Sequence, residues 1–238
     1  MSRRLTLVTG ASRGLGREIA HALARRGVDL ALLARDGAAL DQLADEIAAD
    51  GRARPLVLAL DLAGPGAAEA VLARLGTAGA AAEGLVANAA YGLVGDAVDL
   101  DRAAQLGIVD LNIRALTDLT LALAPQLVAA RGRILMVASV AGFAPGPGMA
   151  VYYASKAYVV SLGDALGAEL KGRGVGVTTL CPGPLATAFW ARAGAKPGVL
   201  GRLAATDLAA VAEAGVAGLY AGRRRVTPGA LNALTALL

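Results

Sequence analysis

The sequence predicts an α/β fold in which one doubly wound parallel sheet carries helices on both faces. Short apolar runs alternate with segments of helical periodicity, as successive strand–helix–strand units require. Hydrophobic residues make up 56% of the chain but aromatic residues only 3%, so Ala, Val and Leu dominate the core, which suits strands buried on both faces. The length of 238 residues fits one domain better than two, and we expect residues 1–238 to form it.

The first predicted unit is a strand at 5–9, a helix at 17–26 and a strand at 28–34. The turn between the first strand and the helix contains Gly10, Gly14 and Gly16. Such glycines let the backbone turn sharply and approach a ligand, and the following helix N-terminus favours a pyrophosphate. A glycine-rich turn alone is weak evidence, but its place between a strand and a helix strengthens it.

The alternation of strands and helices continues to residue 180. We predict strands at 56–60, 84–87, 133–138 and 174–180, and helices at 38–49, 67–75, 100–129 and 152–171. The segment 76–83, rich in Ala and Gly, is interpreted as a loop, which gives six strands in total. Ligands bind at the carboxyl ends of the strands in sheets of this kind.

The composition argues against several classes of protein. Residues 134–155 carry no charge, but they include Pro145, Pro147 and three glycines, so we interpret them as core rather than as a membrane span. The N-terminus lacks the pattern of an export signal. Cys181 is the only cysteine, and we expect a small buried residue in a reducing cytoplasm. The net charge of +4 comes from dispersed arginines, so nucleic-acid binding is not predicted.

No metal site is expected. The sequence has no set of His, Cys and carboxylate residues at metal-ligand spacing. His21, the only histidine, lies in the first predicted helix and is interpreted as a surface residue.

Tyr152 and Lys156 are the strongest candidates for catalysis. Their spacing of four places both on one face of the helix predicted at 152–171. Because an ammonium beside a phenol favours the phenolate, we expect Lys156 to lower the pKa of Tyr152 from its usual value of about 10. A Tyr and a Lys at this spacing also occur by chance, as an aromatic residue packed beneath a solvated amine. Ser139, thirteen residues before Tyr152 and at a predicted strand end, favours the catalytic interpretation.

A series of short motifs runs through the chain in order. The motifs are Thr9-Gly10-Ala11-Ser12-Arg13-Gly14-Leu15-Gly16, Asp61, Asn88-Ala89-Ala90, Asn112, Ser139, Tyr152-x-x-x-Lys156 and Pro182-Gly183-x-x-x-Thr187. Each is weak alone, but the complete series resembles the short-chain dehydrogenase/reductase family over nearly the whole chain and implies a Rossmann-type sheet. Two features depart from the family pattern. Ala90 stands where a glycine is usual, and the C-terminal tail lacks the Asp-Gly-Gly of many relatives.

The resemblance implies an oxidoreductase that transfers a hydride between a nicotinamide cofactor, which the end of the second predicted strand indicates to be NADP(H), and a carbonyl or alcohol substrate. Tyr152 would exchange the proton, Lys156 would lower the pKa of Tyr152 and bind the nicotinamide ribose, and Ser139 would orient the carbonyl. Asn112 would hold a water that leads from the lysine to solvent, although its position alone also fits an asparagine bonded to local backbone. Tyr153 lacks the spacing to Lys156 and is expected to be a packing residue. The residues implied to bind the cofactor are Gly10, Ser12, Arg13, Gly14, Leu15, Gly16, Arg35, Asp61, Leu62, Asn88, Ala89, Tyr152, Lys156, Pro182, Gly183 and Thr187.

The end of the second predicted strand favours NADP over NAD. An enzyme that selects NAD commonly has a carboxylate there, which accepts a hydrogen bond from the ribose 2′-hydroxyl and would repel a 2′-phosphate. Here the position is Ala34, Arg35 follows it, and Arg13 lies in the glycine-rich turn. Both arginines could reach a 2′-phosphate, although each could also be a solvated surface charge. Asp36 is expected to cap the next helix.

Two further expectations concern the substrate and the assembly. Residues 184–205 resemble the family's substrate lid, in which Phe189 and Trp190 either present an apolar face to the substrate or pack on the core. A homo-oligomer, dimer or tetramer, is expected on the helices near 100–130 and after Tyr152. The apolar stripe behind this expectation, which could equally be ordinary core, consists of Leu116, Leu119, Leu123 and Leu127.

A non-catalytic dinucleotide-sensing or scaffold protein with the same fold is the alternative function. It is disfavoured because Ser139, Tyr152 and Lys156 are all present, and binding alone would not require them.

Overall fold

The computed structural model describes residues 2–185, 207–229 and 232. These residues contain one seven-stranded sheet in the order β3-β2-β1-β4-β5-β6-β7, in which every neighbouring pair is parallel. The strands are β1 Arg3–Thr9, β2 Leu30–Ala34, β3 Leu56–Ala59, β4 Ala80–Ala87, β5 Arg133–Val137, β6 Gly176–Leu180 and β7 Arg225–Val226.

Helices connect the strands. They are α1 Gly14–Arg25, α2 Gly37–Ala49, α3 Ala67–Thr77, α4 Arg102–Val109, α5 Leu116–Ala130, α6 Ala150–Lys171 and α7 Leu208–Tyr220. A π-helical segment, Asp110–Ala115, joins α4 to α5, and a 3₁₀ segment, Val140–Phe143, follows β5.

The sheet has a hydrophobic core on each face, which confirms the predicted fold class. Neighbouring residues of β1 separate the two cores, because successive side chains of a strand point to opposite faces. Leu7 belongs to the core that α3, α5 and α6 cover, together with Leu123. Val8 belongs to the core that α1, α2 and α7 cover, together with Leu23. All four side chains are fully buried.

The order of the strands creates a crevice beside β1. The chain passes from β1 to β2 and β3 on one side and then returns to β4 on the other side of β1. The connections that follow β1 and β4 therefore leave in opposite directions, and a crevice opens between them at the carboxyl ends of the strands. The loops that follow β5 and β6 reach the same edge.

Three local predictions need correction. The predicted loop 76–83 is wrong in its second half, because β4 begins at Ala80 and pairs with β1, with a register shift between Leu5 and Thr6. The described residues form seven strands rather than six, since the two-residue strand β7 pairs with β6. Helix α7 was not predicted, because Gly215 and Gly218 lower the helical propensity of an almost continuously apolar segment. Gly215 allows close packing, since a Cβ there would lie 2.7 Å from Leu180 Cδ2.

The helix predicted at 100–129 exists, but its middle is irregular. The π-helical segment Asp110–Ala115 interrupts the α-helical hydrogen bonding and contains the buried Asn112. Wide turns of this kind are frequent at functional sites.

The expected apolar stripe belongs to the core of the chain itself. Leu116, Leu119, Leu123 and Leu127 are all buried. They therefore give no support to an interface, and the homo-oligomer stays a prediction.

The expected burial of Cys181 is confirmed, whereas His21, expected at the surface, is half-buried with 20% of its side chain exposed. Cys181 is a buried free cysteine whose burial raises the pKa of its thiol to about 12. His21 lies on α1, where its Nε2 is 3.6 Å from the Glu46 carboxylate and away from the crevice. Within the described ranges, no helix has both the length and the apolar character that a bilayer crossing requires.

Candidate active site

A cavity of about 560 Å³ opens at the carboxyl edge of the sheet. It collects most of the residues that the sequence singled out. The predicted residues that line it are Gly10, Ser12, Arg13, Gly14, Leu15, Arg35, Asp61, Leu62, Asn88, Ala89, Ser139, Tyr152, Lys156, Pro182 and Gly183. Gly16 and Asn112 lie behind this lining, and Thr187 and the lid residues Phe189 and Trp190 lie outside the described ranges.

The cavity has two ends because it crosses several strands. The turn after β1 and Arg35 after β2 line one end, which we call the glycine-turn end. Ser139, Tyr152 and Lys156 line the other, which we call the catalytic end. Since β2 and β5 are three strands apart and neighbouring strands are about 4.8 Å apart, the two ends are separated by roughly 14 Å.

Ser139 is held rigidly at the end of β5. Its Oγ accepts a hydrogen bond from the Ala141 N–H at 3.1 Å, which caps the 3₁₀ segment, and donates to the Pro182 carbonyl at 3.3 Å. The serine therefore links the loops that follow β5 and β6.

Tyr152 lies in the first turn of α6 and hydrogen-bonds with Ser139. Burial raises the pKa of the Tyr152 phenol to about 12, although the hydrogen bond with Ser139 acts in the opposite direction. The expectation that Lys156 lowers this pKa is therefore wrong for the structure. The reason is the position of the ammonium, which lies 5.8 Å from the centre of the Tyr152 ring and is bonded elsewhere.

Lys156 is buried one turn further along α6, with 4% of its surface exposed. Its Nζ donates a hydrogen bond to the Val137 carbonyl at the end of β5, at 2.9 Å. Burial lowers the pKa of this amine to about 8. The amine can therefore change its protonation state close to neutral pH.

Asn112 joins the loop after β4 to helix α6. Its Oδ1 accepts from the Tyr91 N–H at 3.1 Å, and its Nδ2 donates to the Tyr91 carbonyl at 2.9 Å and to Ser155 Oγ at 3.0 Å. Ser155 Oγ in turn donates to the Tyr152 carbonyl at 2.7 Å. The predicted role of Asn112 in holding a water stays a prediction.

The sequence did not indicate Ser155 or Tyr91 as partners of Asn112. Ser155 is fully buried directly before Lys156, and Tyr91 follows the Asn88-Ala89-Ala90 motif. Their spacings to Asn112 follow no local pattern, because the contacts join three separate elements.

The glycine-rich turn is braced by Thr9 and Asn88. Thr9 Oγ1 accepts from the backbone N–H groups of Asn88 at 2.9 Å and Ala89 at 3.0 Å, and it donates to the Val86 carbonyl at 3.1 Å. Asn88 Nδ2 donates to the Thr9 carbonyl at 2.9 Å. A Cβ on Gly16 would lie 2.5 Å from Asn88 Nδ2 and would overlap the Gly10 carbonyl, so only glycine fits there.

The surface of this turn suits a phosphate group. Gly10 and Gly14 have φ of 66° and 57°, values that glycine adopts without strain. Helix α1 begins at Gly14, and Arg13 at its N-cap makes no side-chain capping bond. The first N–H groups of α1 therefore face the cavity without a side-chain acceptor from the cap residue, which is the donor set that binds phosphates.

Each of the two arginines at the glycine-turn end faces a carboxylate. Arg13 Nη2 lies 3.6 Å from Asp36 Oδ2, and Arg35 Nη1 lies 3.9 Å from Asp61 Oδ2. Both arginines are largely exposed, at 68% and 61% of the side chain, so these ion pairs are weak. Asp36 caps α2 as predicted, since it accepts from the Ala39 N–H at 3.1 Å.

Tyr153 packs its ring against Gly146, in line with its expected packing role. It lines the cavity, with its ring 6.2 Å from the Tyr152 ring and at 76° to it.

Comparisons with known proteins agree with this site. Residues 4–198 match the short chain dehydrogenase family. An uncharacterized oxidoreductase from Myxococcus xanthus is 40% identical over 188 residues, which are 77% of this chain and 72% of that protein.

Two solved structures share the whole architecture. A short-chain dehydrogenase from Sphingobium yanoikuyae in complex with NADPH has a TM-score of 0.86 and 33% identity, covering 99% of this chain and 92% of its own. A 3-ketoacyl-(acyl-carrier-protein) reductase from Brucella melitensis complexed with NADH has a TM-score of 0.83 and 26% identity, covering 94% of this chain and 96% of its own.

Proposed function

The chain belongs to the short-chain dehydrogenase/reductase family of oxidoreductases, and we propose that it is an NADP(H)-dependent carbonyl reductase or alcohol dehydrogenase. One observation carries the proposal. Ser139, Tyr152 and Lys156 line the same end of a cavity whose other end presents the glycine-rich turn and two arginines. A proton donor thus lies at one end and a phosphate-binding surface at the other.

The residues present fit a nicotinamide dinucleotide. Gly10 and Gly16 let the glycine-rich turn pack closely against Asn88, and the first N–H groups of α1 would bind the pyrophosphate. Arg13 and Arg35 would bind a 2′-phosphate, which supports NADP, as does the NADPH complex of the Sphingobium relative. The structure of the Brucella relative contains NADH instead, so the bound cofactor differs among the similar structures. When bound, the cofactor supplies or accepts the hydride.

Tyr152 would act as the proton donor in the reducing direction. Because the pKa of its phenol is raised to about 12, the hydroxyl is fully protonated at neutral pH. The alkoxide that develops from a carbonyl is a stronger base than a phenolate, so the proton passes to the substrate oxygen. The phenol can therefore give a proton in the reducing direction, while oxidation would need the phenolate, which forms at higher pH.

Ser139 and Lys156 would support this transfer. The Ser139 hydroxyl is bonded to Tyr152 and fixed between two loops, and it would donate to the same substrate oxygen once its proton turns away from the Pro182 carbonyl. Lys156 places a cation of lowered pKa behind the tyrosine and would bind the nicotinamide ribose. Asn112 fixes the backbone around Tyr152 through Ser155.

The assembly and the lid complete the proposal. Residues 184–205 would cover the substrate within a single domain of residues 1–238. A homo-oligomer would form through the helices near 100–130 and the helix after Tyr152; Leu106 and Val109 of α4 and Leu121 of α5 are exposed in the first region.

The proposal is tested by hydride transfer to a panel of ketones and aldehydes. Oxidation of NADPH is followed by its absorbance, and binding of NADPH is measured separately by calorimetry. Turnover that requires Tyr152 supports the proposal. Binding of NADPH without turnover of any carbonyl or alcohol would contradict it and favour a dinucleotide-sensing or scaffold protein.

A further inference from the structure

Tyr91 and Tyr153 line the catalytic end of the cavity, and each packs against a glycine from another segment. The Tyr91 hydroxyl donates to the Ala104 carbonyl of α4 at 2.8 Å, and a Cβ on Gly107 would overlap that hydroxyl. A Cβ on Gly146, in the loop before α6, would overlap the ring of Tyr153. Both rings are therefore held closely by their surroundings.

Both tyrosines are also fixed relative to the proton donor. Tyr153 follows Tyr152 on α6, and its ring lies edge-on to that of Tyr152. The backbone of Tyr91 is bonded on both sides to the Asn112 side chain, which reaches Tyr152 through Ser155. A substrate carbonyl that accepts a proton from Tyr152 would therefore share the catalytic end of the cavity with both tyrosines.

Among the described residues, the other side chains that line the catalytic end are apolar. They include Leu111, Val140, Met149 and Leu185. In the described part of the chain, the charged side chains that line the cavity are Arg13, Arg35, Asp36, Asp61 and Lys156. The first four follow β1, β2 and β3 at the glycine-turn end, and Lys156 is buried and bonded to the Val137 carbonyl.

We propose that Tyr91 and Tyr153 are specificity-determining residues that select an uncharged ketone or aldehyde with an apolar or aromatic substituent. A substrate with a carboxylate next to its carbonyl would have to bury that charge among apolar groups, which costs free energy unless a partner compensates it. This inference rests on the proposed carbonyl reduction and names the substrate class of the same site.

A matched pair of substrates tests the class. Ethyl benzoylformate and benzoylformate share a phenyl ketone, but only the second carries a carboxylate. With NADPH, we expect kcat/KM for the ester to exceed that for benzoylformate by about tenfold or more, because the carboxylate of benzoylformate would be buried without a partner. Equal use of the two, or a preference for benzoylformate, would overturn this inference and leave carbonyl reduction intact.

Equilibrium binding separates this inference from the proposed function. Binding of ethyl mandelate and of mandelate to the protein loaded with NADP⁺ is measured by calorimetry, which requires no turnover. Tighter binding of the ester in a protein that reduces no carbonyl would contradict the proposed function and support the apolar site. Equal or tighter binding of mandelate would contradict the apolar site.

Two variants test the tyrosines themselves. Tyr153→Ala removes one ring, and Gly146→Ala adds a methyl that must displace the same ring. We expect each to raise KM for ethyl benzoylformate about tenfold while the Kd for NADPH stays within about twofold. The matched controls are Tyr220→Ala, on α7 outside the cavity lining, and Gly76→Ala, whose Cβ would have no neighbour within 4 Å.

Melting temperatures show whether each variant is folded. If Gly146→Ala is folded and has the wild-type KM for the ester, the role of Tyr153 is overturned. This holds even if Tyr153→Ala does not fold. Tyr91→Phe removes the bond to Ala104 but keeps the ring, and we expect a smaller rise in KM than for Tyr91→Ala. A larger rise in KM for Tyr91→Phe than for Tyr91→Ala would contradict the role of the Tyr91 ring.

Discussion

The Lys156 ammonium lies 5.8 Å from the centre of the Tyr152 ring and donates its hydrogen bond to the end of β5. The two side chains share a helix face as their spacing predicts, yet burial rather than charge dominates the pKa of each. Burial favours the neutral phenol and the neutral amine alike. The site therefore holds a phenol ready to donate a proton.

The first prediction concerns the proton donor. Tyr152→Phe removes the only group that we assign to proton donation, so we expect kcat to fall by about 10²- to 10⁴-fold. The Kd for NADPH should stay within about twofold of the wild type, because the ring is retained. Steady-state kinetics and calorimetry with NADPH measure the two effects.

Two other tyrosines of α6 provide the comparison. Tyr158→Phe removes a hydroxyl bonded to Thr117 outside the cavity lining and should leave kcat unchanged. Tyr153→Phe removes the hydroxyl of the neighbouring aromatic residue but keeps its ring. If Tyr152→Phe kept most of its turnover and Tyr153→Phe lost it, the assignment of the donor would be wrong.

The second prediction is a pH dependence of stability that comes from Lys156. Its pKa is about 8 in the folded chain against an ordinary value of 10.5. Between these values the unfolded chain binds the proton and the folded chain does not, so stability rises with pH. Below pH 8 both states are protonated, and the full cost of burying the ammonium is present. Between the two pKa values, the free energy of unfolding rises by on the order of 3 kcal/mol.

Urea unfolding at about pH 7.5 and about pH 10 measures this effect. Over that interval we expect the free energy of unfolding of the wild type to rise by about 2–3 kcal/mol relative to that of Lys156→Met. Lys171→Met, which changes an exposed lysine, should behave like the wild type. Tyr152 acts in the opposite sense but at higher pH, between its ordinary pKa of 10.0 and its folded value of about 12. If the free energy of unfolding of the wild type did not rise relative to that of Lys156→Met, the lowered pKa of Lys156 would be contradicted.

The third prediction concerns the brace under the glycine-rich turn. Thr9→Val keeps the shape of a buried side chain but removes the acceptor of the Ala89 N–H and one acceptor of the Asn88 N–H. We expect a loss of about 2–3 kcal/mol in the free energy of unfolding and weaker binding of NADPH. Denaturant unfolding and calorimetry measure the two.

Thr77→Val is the matched control for this variant. The Thr77 hydroxyl bonds to the Ala73 carbonyl at the exposed end of α3, so its removal should change stability by less than about 0.5 kcal/mol. Equal effects of the two substitutions would show that Thr9 does not brace the turn.

The sequence predicted the doubly wound sheet and most of the cavity lining because those features depend on local pattern. Short apolar runs define the strands, and a motif after a strand lies at the carboxyl edge whatever the details of packing. Ala80–Glu83 was misassigned because small residues carry no alternating pattern, although pairing with β1 makes the segment a strand. The direction of the Tyr152 pKa shift was missed because it depends on burial and on the Val137 carbonyl, which only the folded chain brings to Lys156.

The fourth prediction concerns assembly. Leu106, Val109 and Leu121 are exposed on α4 and α5, and Leu121 has 57% of its surface exposed. We expect light scattering at micromolar concentration to give a mass above that of one chain, and Leu121→Glu to reduce it. Val98→Glu changes a more exposed residue outside these helices and should not. A monomeric wild type would end the prediction.

The last prediction concerns the choice between NADPH and NADH. No carboxylate stands at the end of β2, where Ala34 is followed by Arg35. Charge-assisted hydrogen bonds contribute roughly 1.5–3 kcal/mol each, so contacts from Arg13 and Arg35 to a 2′-phosphate would favour NADPH about a hundredfold or more. The ion pairs to Asp36 and Asp61 do not cancel this preference, because exposed pairs contribute only about 0.2–1 kcal/mol.

The ratio of kcat/KM for the two cofactors measures this preference. Arg35→Ala should lower the ratio about tenfold or somewhat more, through KM for NADPH, and should leave NADH nearly unaffected. Asp36→Asn removes the carboxylate beside Arg13 while keeping a good helix cap, so the ratio should rise slightly. Arg74→Ala, at an exposed arginine of α3, should leave the ratio unchanged. Equal use of NADH by the wild type would refute the preference, and an unchanged ratio in Arg35→Ala would remove Arg35 from the phosphate site.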